Sequence, residues 1–189
     1  MKVQLIDRKI GMCNQWQAYF NDYPDVIVHQ GDYFSLPTDC IVSPANSFGF
    51  MDGGLDLVIS MTFGWGIQQR LQKQIQEKYN GELLVGQAEL VETGNDEIPF
   101  CISAPTMRIP MILENSPNVY LATRAVFLLA KNEPRIKTIT ISGMGTGVGK
   151  VPYNVCAKQM KQAYDDVMLG KYKFPGSWEE ASKNNYNLF

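Results

Sequence analysis

Residues 40–56, CIVSPANSFGFMDGGLD, run from a buried-strand pattern through a loop with paired glycines into the start of a helix. Leaving an apolar strand, the backbone reaches Gly53 and Gly54, where it can approach a ligand closely. The helix opening at Leu55 then offers free N–H groups that favour an anion. That order of states is the geometry of a phosphate site. Asn46 stands at the loop's entrance and Asp56 in the first helical turn, ten residues apart, so both side chains can face one bound group.

The pattern recurs near the other end of the chain. Residues 136–142 alternate β-branched and polar types and run into Gly143-Met144-Gly145-Thr146-Gly147-Val148-Gly149, which opens a helix over 152–168. Closely spaced glycines let consecutive N–H groups converge on an anion. The spelling fits neither G-x-G-x-x-G nor the P-loop pattern, so the loop is neither a dinucleotide fingerprint nor a Walker loop. Two strand, glycine-loop and helix units in one chain predict an α/β fold of three layers, α/β/α, with both loops at the same sheet edge.

Composition narrows the chemistry. A net charge of −2 over 189 residues supplies no basic excess, which argues against general nucleic-acid binding through phosphate neutralisation. No run approaches the roughly 18 apolar residues of a membrane span, and the start of the chain reads as a first strand and not as a secretory leader. No membrane partner is expected, and a cytoplasmic setting is the default. Cys13, Cys40, Cys101 and Cys156 are scattered without a C-x-x-C pair, and His29 is the only histidine, lying in a strand-like run. The sequence therefore points to no metal site, no disulfide framework and no Ser-His-Asp triad, and it calls for no cofactor. Catalysis on this chain must use carboxylates, amides, backbone or substrate groups.

Taken in order, the pattern predicts a first strand over residues 1–8, a short amphipathic helix over 12–20, a strand over 26–30 and a helix over 55–61. A further helix ends at Asn80-Gly81, strands cover 83–93 and 100–103, and a helix over 118–130 is capped by Asn115 or Ser116. Asp32, after Gly31 at the carboxyl end of the second strand, is a candidate contact or a turn aspartate. Arg108 reaches a phosphate, a neighbouring acid or only solvent. Residues 1–170 read as one domain, and 171–189 as a loosely packed tail that covers the sheet.

Two loops can pinch one diphosphate, a carboxylate such as Asp32 suits an adenine-like amino group, and Asn46 with Asp56 suits sugar hydroxyls. ADP-ribose is the simplest molecule with those parts. Over most of the chain between residues 26 and 168 the sequence also resembles the macrodomains, whose hallmark strand reads Ile-Val-Asn-Ala-Ala-Asn before a glycine-rich loop and an aspartate. Here the strand reads Ile41-Val42-Ser43-Pro44-Ala45-Asn46, and Asn46 to Asp56 keeps the spacing of the ADP-ribosyl hydrolase branch. Gly145-Thr146-Gly147-Val148 is similar to the family's second phosphate loop. The wording is also similar to that of macrodomains from bacteria and their phages.

The resemblance implies a mixed central sheet with helices on both faces and ADP-ribose or an ADP-ribosylated substrate as the partner. It implies that Asp32 receives the adenine amino group with Tyr33 beside the base. The ligand is then held by Ala45, Gly53, Gly54 and Leu55 in the first loop and by Gly143, Gly145, Thr146, Gly147, Val148 and Gly149 in the second. Asn46 and Asp56 carry the chemistry, with Asp56 kept ionised by its place at a helix N-terminus. Ser43-Pro44 replaces the usual Asn-Ala, and Gly149 stands where many members carry an aromatic ring over the distal ribose. Phe48, Phe50 or Trp65 is left to supply that platform. The expected function is binding of ADP-ribose with hydrolysis of ADP-ribosyl linkages to protein or acyl groups. The alternatives are a reader that binds without turnover and an interaction domain with a degenerate pocket.

Overall fold

A computed structural model describes residues 1–189. Six strands form one sheet in the order β2-β1-β6-β3-β5-β4. The strands are β1 (Lys2–Asp7), β2 (Val26–Gln30), β3 (Cys40–Ser43), β4 (Glu89–Glu92), β5 (Phe100–Ser103) and β6 (Thr138–Ile141). All neighbours pair parallel except β4 with β5, so the sheet is mixed. The helices are α1 (Ile10–Phe20), α2 (Gly54–Phe63), α3 (Gly66–Lys78), α4 (Asn118–Asn132), α5 (Tyr153–Val167) and α6 (Trp178–Tyr186).

Strand alternation divides the core into two layers. Val3 and Leu5 of β1, Cys40 and Val42 of β3, Ile102 of β5 and Ile139 and Ile141 of β6 pack with Trp16, Val126, Phe127 and Met160 of α1, α4 and α5. The intervening residues Ile6, Ile41 and Cys101 face the other way, onto Ile59 of α2 and Ile67, Leu71 and Ile75 of α3. Successive side chains point to opposite faces of a strand, so strands reading CIVS and FCIS must be covered on both sides. The three-layer α/β/α arrangement expected from the sequence follows.

Three elements differ from expectation. The strand expected over 83–93 is confined to Glu89–Glu92, because the chain turns at 84–87. There the Gln87 N–H bonds the Leu84 carbonyl at 2.9 Å and Gly86 takes φ +93°. Neither Asn115 nor Ser116 caps α4, whose N-cap is Pro117; Ser116 Oγ instead accepts the Asn118 N–H at 3.2 Å. The tail holds a helix, α6, nucleated by Ser177, whose side chain accepts the Glu180 N–H while Glu180 Oε2 takes the Gly176 N–H. Ser177-x-x-Glu180 is a capping-box spelling that marks this start in the sequence. No residue of α6 is buried, and the following Leu188 is, with Lys158 of α5 bonded to the Phe189 carbonyl. No helix is long and apolar enough to cross a membrane.

Candidate functional site

Because β1, β2, β3, β5 and β6 are parallel, everything that follows them emerges at one edge. A cleft of about 450 Å³ opens there, within the range of small-molecule sites. The two glycine loops leave neighbouring strands, β3 and β6, and flank its middle. The residues that the resemblance assigned to the ligand and to the chemistry line it: Asp32 and Tyr33 after β2, Ala45, Asn46, Gly53, Gly54, Leu55 and Asp56 after β3, and Gly143, Gly145, Thr146, Gly147, Val148 and Gly149 after β6.

The loops present unpaired backbone donors to the cleft. The N–H groups of Gly53, Gly54, Leu55 and Asp56, at the mouth of α2, have no acceptor within the protein, and neither do those of Gly147, Val148 and Gly149. A Cβ at Gly53, Gly54 or Gly147 would meet nothing within 4 Å, so the backbone is open to the cleft. Gly54 has φ +57°, a conformation in which a side chain is strained. The remaining loop bonds are local: the Thr146 hydroxyl donates to the Gly143 carbonyl at 2.8 Å and the Val151 N–H to the Gly145 carbonyl at 3.2 Å.

Asn46, which lines the cleft, also holds its own loop. Its Nδ2 donates to the Phe50 carbonyl at 2.8 Å, and its Oδ1 accepts the N–H groups of Phe48 at 3.1 Å and Phe50 at 3.3 Å. The amide closes its own loop. Gln68 Oε1 accepts the Met51 N–H at 2.7 Å and the Ser60 hydroxyl donates to the Met51 carbonyl at 2.9 Å, so α2 and α3 hold the same loop from behind.

The helix terminus does not hold the pKa of Asp56 down, although the group is still mostly ionised at neutral pH, as expected. Asp56 is 8% exposed, and burial raises its pKa to about 6 against the ordinary 3.8. A hydrogen bond from the Ser43 hydroxyl to Oδ1 opposes that rise, while the charge of Asp52 adds to it. Desolvation outweighs the favourable first-turn position because the helix-end effect is worth about 1 kcal/mol at most sites.

Tyr33 is also corrected. Its ring is buried in the core, and its hydroxyl lies 2.7 Å from the Val42 carbonyl and 2.8 Å from the Thr140 carbonyl while accepting the Val42 N–H at 2.9 Å. The side chain ties the β2 exit to β3 and β6 and is not free to lie beside a base. Asp32 acts as a turn aspartate, its Oδ1 accepting the Phe34 N–H at 3.0 Å, while Oδ2 pairs with Arg8 at the cleft. That guanidinium lowers the Asp32 pKa. Arg108 neither reaches the cleft nor is merely solvated. It pairs with Glu82 at 2.5 Å and sits 5.1 Å over the Phe48 ring.

Of the three aromatics proposed to replace the missing ring, Phe50 alone lines the cleft, half exposed. A side chain at Gly149 is excluded, since its Cβ would stand 2.5 Å from the Gly145 carbonyl oxygen and 3.0 Å from Leu113. The sequence reading missed Asp7, Arg8 and Lys9, which line the cleft after β1. The rule that nominated Asp32, a polar residue at the carboxyl end of a parallel strand, also finds them. It missed Ser43 as well, for which no local signal exists.

An α/β/α sheet with two backbone-lined loops over one cleft defines a macrodomain, and residues 42–160, more than half of the chain, match the Macro domain family. The chain belongs to that family. An uncharacterized protein of Aquifex aeolicus is 38% identical to it over 136 residues, covering 72% of this chain and 78% of that one. Among solved structures, a mutant of an Oceanobacillus iheyensis macrodomain with ADPR superposes with a TM-score of 0.64 at 20% identity, over 84% of this chain and 88% of that one. The macrodomain of Mycobacterium tuberculosis DarG does so with a TM-score of 0.63 at 18% identity, over 73% and 88%. These likenesses establish the shared fold.

Proposed function

We propose that the cleft binds ADP-ribose and hydrolyses ADP-ribosyl linkages. The observation that carries this reading is the pair of loops with unpaired N–H groups, Gly53 to Asp56 and Gly147 to Gly149, on one cleft. The first loop is held by the bonds of Asn46, Gln68 and Ser60 and the second by those of Thr146 and Val151, so the donors are fixed in advance for a diphosphate. In this reading the adenine lies toward Asp32 and Arg8 and the distal ribose toward Asn46 and Asp56. The Oceanobacillus macrodomain with ADPR supports the choice of ligand.

Asp56 is the group suited to act on the linkage. Its Oδ1 is taken by Ser43 and its Oδ2 accepts no bond within the protein, which leaves one oxygen for a ribose hydroxyl or a water. With a pKa of about 6 it is a stronger base than an exposed aspartate and is still mostly ionised at neutral pH. A water held by Oδ2 attacks the carbon bearing the leaving group and gives its proton to the carboxylate, and the leaving group departs with the bonding pair. A reader without turnover is the second reading, favoured by the engagement of the Asn46 amide in its own loop.

Calorimetric titration with ADP-ribose, AMP and NAD, followed by turnover assays on ADP-ribosylated protein and O-acetyl-ADP-ribose, tests both. Hydrolysis requires Asp56→Ala to lower kcat roughly 100-fold or more with little change in ADP-ribose affinity. In the wild type, kcat falls as pH drops through about 6. ADP-ribose binding without turnover on any of these substrates establishes the reader instead.

A further inference from the structure

We propose that Ser43 is a positioning residue, which holds the Asp56 carboxylate by one oxygen so that the other faces the bound ligand. The proposal rests on the role given to Asp56 above and assigns a task to the side chain that bonds it.

The geometry is specific. Ser43 closes β3 and Asp56 lies in the first turn of α2, so their hydrogen bond spans the whole first loop. Ser43 is fully buried, and no other donor in the protein reaches the Asp56 carboxylate. An aspartate side chain that is 8% exposed and has a single partner is oriented by that partner. Complete burial also rules out the serine as a nucleophile for a ligand in the cleft, and His29, the only histidine, makes no bond to it. A hydroxyl at this position offers one donor, at the end of a strand, to a carboxylate that no N–H group of its own helix start bonds.

The other groups around Asp56 set no competing contact. Asp52, in the loop before α2, adds negative charge that disfavours ionisation. Cys101 of β5 and Tyr33 after β2 both feel the Asp56 charge, yet the Tyr33 hydroxyl bonds Val42 and Thr140 and the thiol makes no bond to the carboxylate. Ser43 is therefore the one side chain that favours the ionised form of Asp56.

The test follows the Asp56 carboxyl carbon by NMR titration in the unliganded protein, its resonance assigned by its loss in Asp56→Asn. Ser43→Ala moves the titration midpoint upward by about one pH unit, because a hydrogen bond to the charged form is removed. Ser43→Thr, which keeps the hydroxyl, leaves the midpoint in place. Should Ser43→Ala fail to fold, Ser43→Cys, with its weaker donor, carries the same expectation of a raised midpoint. An unchanged midpoint in a folded Ala or Cys variant overturns the proposal. If the protein turns over substrate, the acid limb of its kcat profile shifts with the midpoint while KM stays within twofold. The titration needs neither ligand nor turnover, so absence of hydrolysis and absence of the Ser43 effect are separate results.

Discussion

At the scale of the residue, the decisive quantity is the environment of Asp56. An unfolded aspartate releases its proton near pH 3.8 and the folded one near 6. Between those values the folded chain holds a proton that the unfolded chain has lost, so stability falls as pH rises through this window. Above about 6 the ionised carboxylate costs the fold roughly 3 kcal/mol. Asp56→Asn, which keeps the shape and the acceptor for Ser43 but removes the charge, is expected to raise the stability of the unliganded protein at pH 7.5 by up to about that amount. At pH 4 the same variant gains little. Urea unfolding at the two pH values measures the difference, and equal effects at both would show that burial of the charge is not what destabilises the site. A site residue that opposes folding is the usual relation between function and stability. The sequence identified Asp56 from its spacing to Asn46, yet nothing in that spacing reveals how deeply the carboxyl is buried or that a serine thirteen residues earlier is bonded to it.

At the scale of the element, the two loops work through backbone atoms, which makes them sensitive to any added side chain. Gly54→Glu places its Cβ in open space, so the variant folds with only the strain of φ +57°. Its carboxylate then enters the space where a diphosphate binds and repels it. ADP-ribose affinity is expected to fall by at least about 100-fold, or roughly 3 kcal/mol, as read by calorimetry on a variant with unchanged circular dichroism. Full affinity would remove the first loop from the binding site. The contrast with Gly149 is instructive, because the space facing that residue is filled by the Gly145 carbonyl and Leu113 rather than open. An aromatic at 149 therefore needs a different second loop, and Phe50 is the ring that the cleft has instead. The order strand, glycine loop, helix was readable for both units, since apolar runs and glycine positions are local. The turn at 84–87 and the capping box before α6 were equally local, and Gly86 and Ser177-x-x-Glu180 are the signals that mark them.

At the scale of the whole molecule, the cleft and the tail share no residue. No residue beyond Gly149 lines the cleft, and α6 buries none of its own side chains. Removal of residues 171–189 takes away the buried Leu188 and the ion pair of Lys171 with Asp165, which keeps Tyr23 and Lys161 as partners. Burial of one leucine contributes about 1.5–3 kcal/mol and an exposed ion pair less than about 1 kcal/mol. A chain ending at Gly170 is expected to melt lower by roughly 5–10 °C and to bind ADP-ribose with unchanged affinity. Loss of binding in a folded truncation would show that the tail supports the cleft and that 1–170 is not an independent unit. What the sequence determined alone is the order of strands and helices through α5 and the edge at which the site lies. A run apolar on both faces must be a covered strand, and parallel strands joined by helices deliver all their following loops to one side. What only the tertiary structure decided is which strands are neighbours, and thus that the β3 and β6 loops flank one cleft. The tertiary structure also decided the states of the polar side chains within that cleft. Asn46 closes its loop, Tyr33 bonds into the sheet and Asp56 carries a raised pKa because hydrogen-bond partners and desolvation come from residues distant in the chain. Periodicity and spacing report which face a residue occupies, but the charge a buried group carries depends on everything packed against it.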